Sequence, residues 1–522
     1  MIYADLVFTD GKILSSSCEA RPEVKDDFNP ALAVTGEVIS AVGSPEEIAH
    51  FISPQTEVID LEGRVALPGF IDGHTHFIHL GLGENFIVNL SGCACREEVL
   101  AQLADIIRER GKGEWIIGQG WDESHWPDGK YLSRKELDRI GPHNPIAAIR
   151  IDGHLISANT VALRNVKDHY PKTEFDPQTG ILREQAAWDL LQQIEPDQTT
   201  LVAAVDAACR IAVSCGVTSI HDMAVSASQF RAYQSAKRNG SLTVRTLLYF
   251  RLEEMRHIIE TGMETGFGDH WLRCGGIGEI FTDGSIGAQN AALDAPYCGS
   301  AERGRLNFTS AEIVKALREA EQAGLQTAIH AIGEQAITAV LAAHAAAQTS
   351  RKLRHRIEHL ELILPEQIEK MAQLNLVASM QPNFAGVWSG PGKMYEKSLG
   401  GERDRRIDPH HAVIRAGVPL IFGSDCMPFS PLYGVHWAVN APHPDQRLTV
   451  KEAIAAYTEQ GAHSSFEEGV KGELSPGKLA DIIVLTRDPY YCSNEISAIE
   501  VDLTCIGGKI VYQREDGDQR QR

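Results

Sequence analysis

The sequence predicts an α/β chain: a (β/α)₈ TIM barrel with a small β-sandwich domain formed by both termini and a subdomain inserted after the first barrel strand. Three observations carry this expectation. The middle of the chain alternates short apolar runs with helical stretches, as βα units do. Both ends are rich in short strands punctuated by turn residues. Roughly 140 residues separate the first expected barrel strand from the second, against about 20–50 for most other pairs, so a subdomain must fill the gap.

At the N-terminal end, Leu6-Val7-Phe8 precedes Asp10-Gly11, Val34 precedes Gly36, Val38-Ile39 precedes Gly43 and Val58-Ile59-Asp60 precedes Gly63. Each is a short apolar run closed by a turn signal. The C-terminal end repeats the pattern in Asp481–Leu485 and Ile506–Val511. Residues 1–65 and 465–522 are therefore expected to form one composite β domain, and residues 66–464 the barrel, interrupted at approximately 82–195. The eight barrel strands are expected near Phe70–His76, Val217–His221, Arg245–Phe250, Gly278–Asp283, Leu325–His330, His355–His359, Leu376–Met380 and Pro419–Asp425. Amphipathic stretches such as Ala311–Ala323 and Glu334–Ala347 lie between them. Gly216, Gly324 and Gly417, each followed by Val or Leu, read as helix ends leading into buried strands.

Composition narrows the function classes. At 522 residues the chain is too long for one compact core. Its 43% hydrophobic and 23% charged residues are those of a folded protein. A net charge of −21 argues against nucleic-acid and anionic-membrane partners, which need a positive footprint. There is no apolar run of the ~18–20 residues a membrane helix requires, and the first residues lack the pattern of a signal peptide. Ten cysteines are too sparse for a disulfide scaffold. These features point to a cytoplasmic protein acting on a small molecule. Its oligomeric state is open, with a homodimer the commonest symmetric assembly.

The chemistry concentrates at strand ends. In Gly73-His74-Thr75-His76 the two histidines are two residues apart, so on a strand they face the same side. They close the first barrel strand, at the end where barrels build active sites. Two adjacent neutral imidazoles suit a divalent metal. A His-x-His alone is a weak signal. It gains weight because His330, His359 and Asp425 each close a different expected strand.

With Pro68-Gly69-Phe70-Ile71-Asp72-Gly73-His74-Thr75-His76, Phe281-Thr282-Asp283-Gly284-Ser285, His330–Ile337, Arg356-Ile357-Glu358-His359, Gly118–Asp122 and Asp152-Gly153-His154, the chain resembles the amidohydrolase superfamily over nearly its whole length. It is most similar to the amidohydrolase-3 branch, which includes N-substituted formamide deformylase-like proteins. The resemblance implies that His74 and His76 bind the more buried metal and that His330 and His359 bind a second. It also implies that Asp425 contacts metal and is the catalytic proton shuttle. Many relatives have a carbamylated lysine on the fourth strand bridging the two metals. Here that position is Glu279, and no lysine occurs between Lys237 and Lys315. A carboxylate shares with a carbamate one negative charge and two oxygens, so Glu279 is the expected bridge; without it the site would hold a single metal.

The implied activity is metal-dependent hydrolysis of a non-peptide carbon–nitrogen bond in an N-substituted amide, formamide or cyclic amide. Metal-bound hydroxide would attack, and Asp425 would carry the proton. Zinc leads the candidate metals, at one or two ions per chain, with manganese, iron, nickel and cobalt also compatible. Gln119, Trp121, Asp122 and His154 in the insertion, His221 after the second strand and Asn383 after the seventh are the candidate substrate contacts; Trp121 could equally anchor the subdomain core. One competing reading is a deaminase of a heterocycle, with Glu334 as proton donor, although His330 and Glu334 stand one residue further apart than a His-x-x-Glu spacing needs. Another is a non-catalytic metal-binding regulatory protein.

Overall fold

The computed structural model describes residues 3–14, 30–123, 126–151, 153, 155–164, 166, 170–172, 174–194 and 196–515. The chain divides into two compact units, Met1–Phe77 with Cys209–Arg522, and Ile78–Ala208.

The first unit contains an eight-stranded, all-parallel barrel sheet with neighbouring strands in chain order. Its strands are β1 (Phe70–Thr75), β2 (Val217–Val225), β3 (Arg245–Phe250), β4 (Leu272–Phe281), β5 (Gln326–Ala331), β6 (Arg356–His359), β7 (Val377–Met380) and β8 (Leu420–Phe422). Most of their residues are buried, because a parallel sheet is covered on both faces. The two ends of the sheet meet where Asp425 N–H donates to His74 O at 2.9 Å and Ser424 N–H donates to Asp72 Oδ1 at 2.9 Å. Gly423 permits this approach, since a Cβ there would lie 2.3 Å from His74 N.

β4 begins six residues earlier than the sequence suggests. Gly275-Gly276, ahead of the expected start, lies within the strand. Gly276 has φ +152°, and a Cβ on it would meet Gln326 O of β5 at 2.0 Å, so the glycine serves close backbone approach. Gly216, Gly324 and Gly417 have φ of 75°, 67° and 75°, the left-handed geometry of helix ends. The helix Ser310–Gln322 starts on a capping box, in which Thr309 and Glu312 satisfy each other's backbone N–H groups. It buries Ile313, Ala316, Leu317 and Ala320.

The termini supply two more sheets. Leu6–Thr9, Ala31–Thr35, Val38–Gly43 and Glu57–Asp60 form a four-stranded sheet. Lys12–Ile13, Val65–Pro68, Ile482–Leu485, Val501–Ile506 and Lys509–Gln513 form a five-stranded one, with Val65–Pro68 antiparallel to Ile482–Leu485. Leu6, Phe8, Leu32, Val34, Ile482 and Val484 share one core between them.

The second unit is built on a six-stranded sheet in the order Phe175–Asp176, Ile181–Arg183, Leu155–Ala158, Ile146–Arg150, Ile116–Trp121, Ile87–Asn89. Its core includes Leu103, Trp121, Trp126 and Ala148. Among the described residues no helix is long and apolar enough to cross a membrane.

Candidate metal centre

The C-terminal ends of β1, β4, β5 and β6, with the segment after β8, deliver six side chains to one place. His74 and His76 come from β1 and its end, Glu279 from β4, His330 from β5, His359 from β6 and Asp425 from beyond β8. Three overlapping trios have all their donor atoms within 4.8 Å of one another: His74, His76 and Glu279; Glu279, His330 and His359; His74, His359 and Asp425.

Glu279 lies at the centre. Its Oε1 is 2.8 Å from His330 Nδ1 and 2.8 Å from His359 Nε2. Its Oε2 is 3.5 Å from His74 Nε2 and 3.8 Å from His76 Nε2. One oxygen thus faces each histidine pair. Asp425 Oδ1 lies 3.3 Å from His76 Nε2 and 3.8 Å from His74 Nε2. His76 and Asp425 keep 29% and 12% of their side chains accessible, whereas Glu279 and His74 keep 1% and 0%. Solvent therefore reaches the cluster from the His76–Asp425 side.

Backbone conformation aims these groups. On a regular strand successive side chains alternate. Arg356 and Glu358 both point into the barrel, so His359 should point out. A left-handed φ of 71° at His359, followed by 57° at Leu360, breaks the alternation and turns the imidazole inward. Asp425 and Cys426 repeat the device at φ 49° and 58°. Such conformations cost non-glycine residues about 1–3 kcal/mol each and collect at functional sites.

The outward ring nitrogens of three of these histidines have partners. His74 Nδ1–H donates to Glu358 Oε2 at 2.7 Å, His359 Nδ1–H to Gln381 Oε1 at 2.7 Å and His330 Nε2–H to Gly284 O at 3.1 Å. Asp72, two residues before His74, is buried and accepts from the backbone N–H groups of His74 and Ser424. Burial, opposed by those hydrogen bonds, leaves its carboxyl raised to about 6. Burial works against ionisation of Glu279, but His74, His330 and His359 outweigh it and hold that carboxyl well below its usual range. Burial likewise opposes charge on His330, yet the hydrogen bond to Glu279 raises it to about 9. Burial, with Glu279 nearby, pushes Asp425 up to about 7 against the pull of His74.

Four imidazoles and two carboxylates form a donor set suited to divalent transition metals. His74 Nε2 is buried and has no hydrogen-bond partner, which is costly unless something else binds it. The residues present fit a cation.

The other sequence candidates fall elsewhere. His221 is fully buried inside the barrel, 3.0 Å from the Arg356 guanidinium through Nδ1, which removes it as a cleft-lining contact. Burial, then Arg356, keep its ring neutral, well below the usual histidine range. Asn383 donates its amide to Ser424 O and Met427 O, both at 2.7 Å, so it braces the loop that carries Asp425. Trp121 has no exposed surface and donates its indole N–H to Ala148 O at 3.0 Å, which makes it a core anchor of the second unit and takes it off the set of substrate contacts. Gln119 is exposed, and Asp122 lies 3.6 Å from Arg150. His154 lies outside the described residues. Sequence reasoning missed the roles of Glu358 and Gln381. Glu358 stands inside the quoted Arg356–His359 motif, and its i, i+2 relation to Arg356 was the available signal.

The family model described as "Amidohydrolase family" matches residues 57–512. Protein LONG AFTER FAR-RED 3 of Arabidopsis thaliana is 30% identical, over 98% of this chain and 92% of its own. N-substituted formamide deformylase of Arthrobacter pascens is 28% identical, over 94% and 96%. The crystal structure of a metal-dependent hydrolase from Pyrococcus horikoshii superposes with a TM-score of 0.81 at 27% identity, covering 94% of this chain and 99% of that one.

Proposed function

The chain belongs to the amidohydrolase family and is a metal-dependent hydrolase, and from that premise we propose that it cleaves a non-peptide carbon–nitrogen bond in an N-substituted amide, formamide or cyclic amide. The observation that carries the reading is the accessibility of Asp425: within the cluster it is the carboxylate that solvent can reach, beside His76. His74, His76 and Asp425 would hold one divalent cation and His330 and His359 a second, with Glu279 between them. Zinc is the first candidate for both. A cation bound there supplies Lewis acidity, lowering the pKa of water and polarising a carbonyl oxygen. Asp425 accepts the proton of the attacking water and returns it to the leaving nitrogen, as general base and then general acid. The barrel strands hold the histidines rigidly, so orientation is settled before substrate arrives. The relationship to the Arthrobacter deformylase supports an N-substituted formamide as the first substrate to try.

The deaminase reading receives no such support. Glu334 opens the helix Glu334–Ala347 and its carboxylate accepts from Asp294 N–H at 3.3 Å.

The test combines turnover of an amide panel, with and without chelator, and metal content per chain in wild type and Glu279→Gln. We expect chelator-sensitive turnover and a fall from two ions to one or fewer. An unchanged ion count rejects Glu279 as a bridge, and no turnover of any amide by metal-loaded protein rejects the reaction.

A further inference from the structure

Three histidines of the cluster donate their outward ring N–H to a protein acceptor, and the acceptors differ in charge. Those of His359 and His330 are neutral, the Gln381 amide oxygen and the Gly284 carbonyl, with the Asp283 carboxylate 3.5 Å from His330 Nε2, outside a direct, aligned hydrogen bond. That of His74 is the Glu358 carboxylate, which has no exposed surface. Glu358 is itself clamped. Arg356 Nε donates to its Oε1 at 2.5 Å and Arg356 Nη2 to its Oε2 at 2.8 Å. Arg356 is buried and anchored in turn, donating to Gly73 O at 2.6 Å, Ser379 Oγ at 2.8 Å and His221 Nδ1 at 3.0 Å. The carboxylate therefore has one orientation available.

A carboxylate accepting from Nδ1–H keeps that proton in place and leaves the lone pair on Nε2, the buried nitrogen that has no partner. It also makes the imidazole a stronger donor than a neutral acceptor does. We propose that Glu358, oriented by Arg356, is a positioning residue that sets the tautomer and donor strength of His74. The His74–His76 side is thereby the tighter of the two cation sites. This rests on reading the cluster as a metal centre.

Glu358→Gln keeps the shape and an acceptor oxygen but leaves Arg356 without a counter-charge. The double variant Glu358→Gln/Arg356→Met removes both charges and guards against a folding failure. Zinc affinity by chelator competition, the visible spectrum of the cobalt-loaded protein and melting of the metal-free protein are compared with wild type. The expected result is binding of one zinc per chain weakened about 10- to 100-fold, with an altered cobalt spectrum. Gln381→Ala should weaken binding less. Wild-type zinc affinity and an unaltered cobalt spectrum in a folded variant, with only metal-free melting lowered, would overturn the proposal. Histidine ¹⁵N shifts in zinc-loaded wild type give a check free of any variant: His74 protonated at Nδ1 supports the proposal, and protonation at Nε2 overturns it. If wild type binds zinc no better than His74→Ala, the metal-centre reading has failed and takes this inference with it.

Discussion

Both ends of the barrel bury charge-bearing side chains, and the two ends partner them differently. At the N-terminal end Arg245, the first residue of β3, makes a two-pronged pair with Asp481 at 2.8 and 3.0 Å, and Gly507 N–H adds a third bond to that carboxylate. Nearby, Glu467 lies 2.9 Å from Lys471 and 2.9 Å from Arg273, and Lys471 donates to Ser219 at 3.0 Å. Each charge there meets its opposite within the protein. At the C-terminal end two carboxylates and four histidines crowd together, and a buried imidazole nitrogen has no partner. The first arrangement pairs each charge with its opposite and secures the barrel to the C-terminal sheet. The second is completed by what binds it.

The sharpest way to test this contrast is to change one residue at each end and ask whether activity or stability responds. Asp425→Asn should lower kcat/KM by about 10²- to 10⁴-fold, the usual worth of a general acid–base, in steady-state assays, with little change in melting temperature. Arg245→Met should do the reverse. Stranding buried Asp481 costs about 3–5 kcal/mol in denaturant unfolding, while the folded fraction keeps its kcat. A loss of kcat as large as that of Asp425→Asn would erase the distinction between the two ends.

The Glu467 group gives a pH signature. Burial would raise its carboxyl, but Lys471 and Arg273 outweigh that and hold it at about 2, from an ordinary 4.5. A carboxylate depressed in the folded state stabilises above its unfolded value, and that contribution is lost as pH falls toward the folded value. Between about pH 5 and pH 2, wild type should therefore lose about 3 kcal/mol relative to Glu467→Gln. Parallel unfolding curves for the two proteins across that window would refute the assignment. The smallest effect is expected from Asn383→Ser, which removes two hydrogen bonds to the Asp425 loop, about 1 kcal/mol each. It should lower both melting temperature and kcat modestly, linking the two readouts because this residue supports the site without belonging to it.

Much of the site was legible from residue order. The two-residue spacing of His74 and His76, and the placement of His330, His359 and Asp425 after apolar runs, follow from strand geometry and from where barrels put their reactive ends. Glu279 was legible because a carboxylate stood where relatives carry lysine. The start of β4 was not, since a glycine pair that signals a turn also serves two strands in close contact. Trp121 and His221 misled for a related reason: a residue type suited to a pocket is equally suited to a core, and neighbours distant in sequence decide between the two.

Local sequence by itself determined which side chains could bind a cation and on which elements they lie, because strand periodicity and the ends of apolar runs are properties of consecutive residues. Only the tertiary structure decided which nitrogen of each imidazole faces the centre, that Glu358 grips His74, and that His359 turns inward. Those outcomes depend on left-handed turns and on hydrogen bonds between strands, such as the 284 positions that separate His74 from Glu358, which no stretch of neighbouring residues encodes.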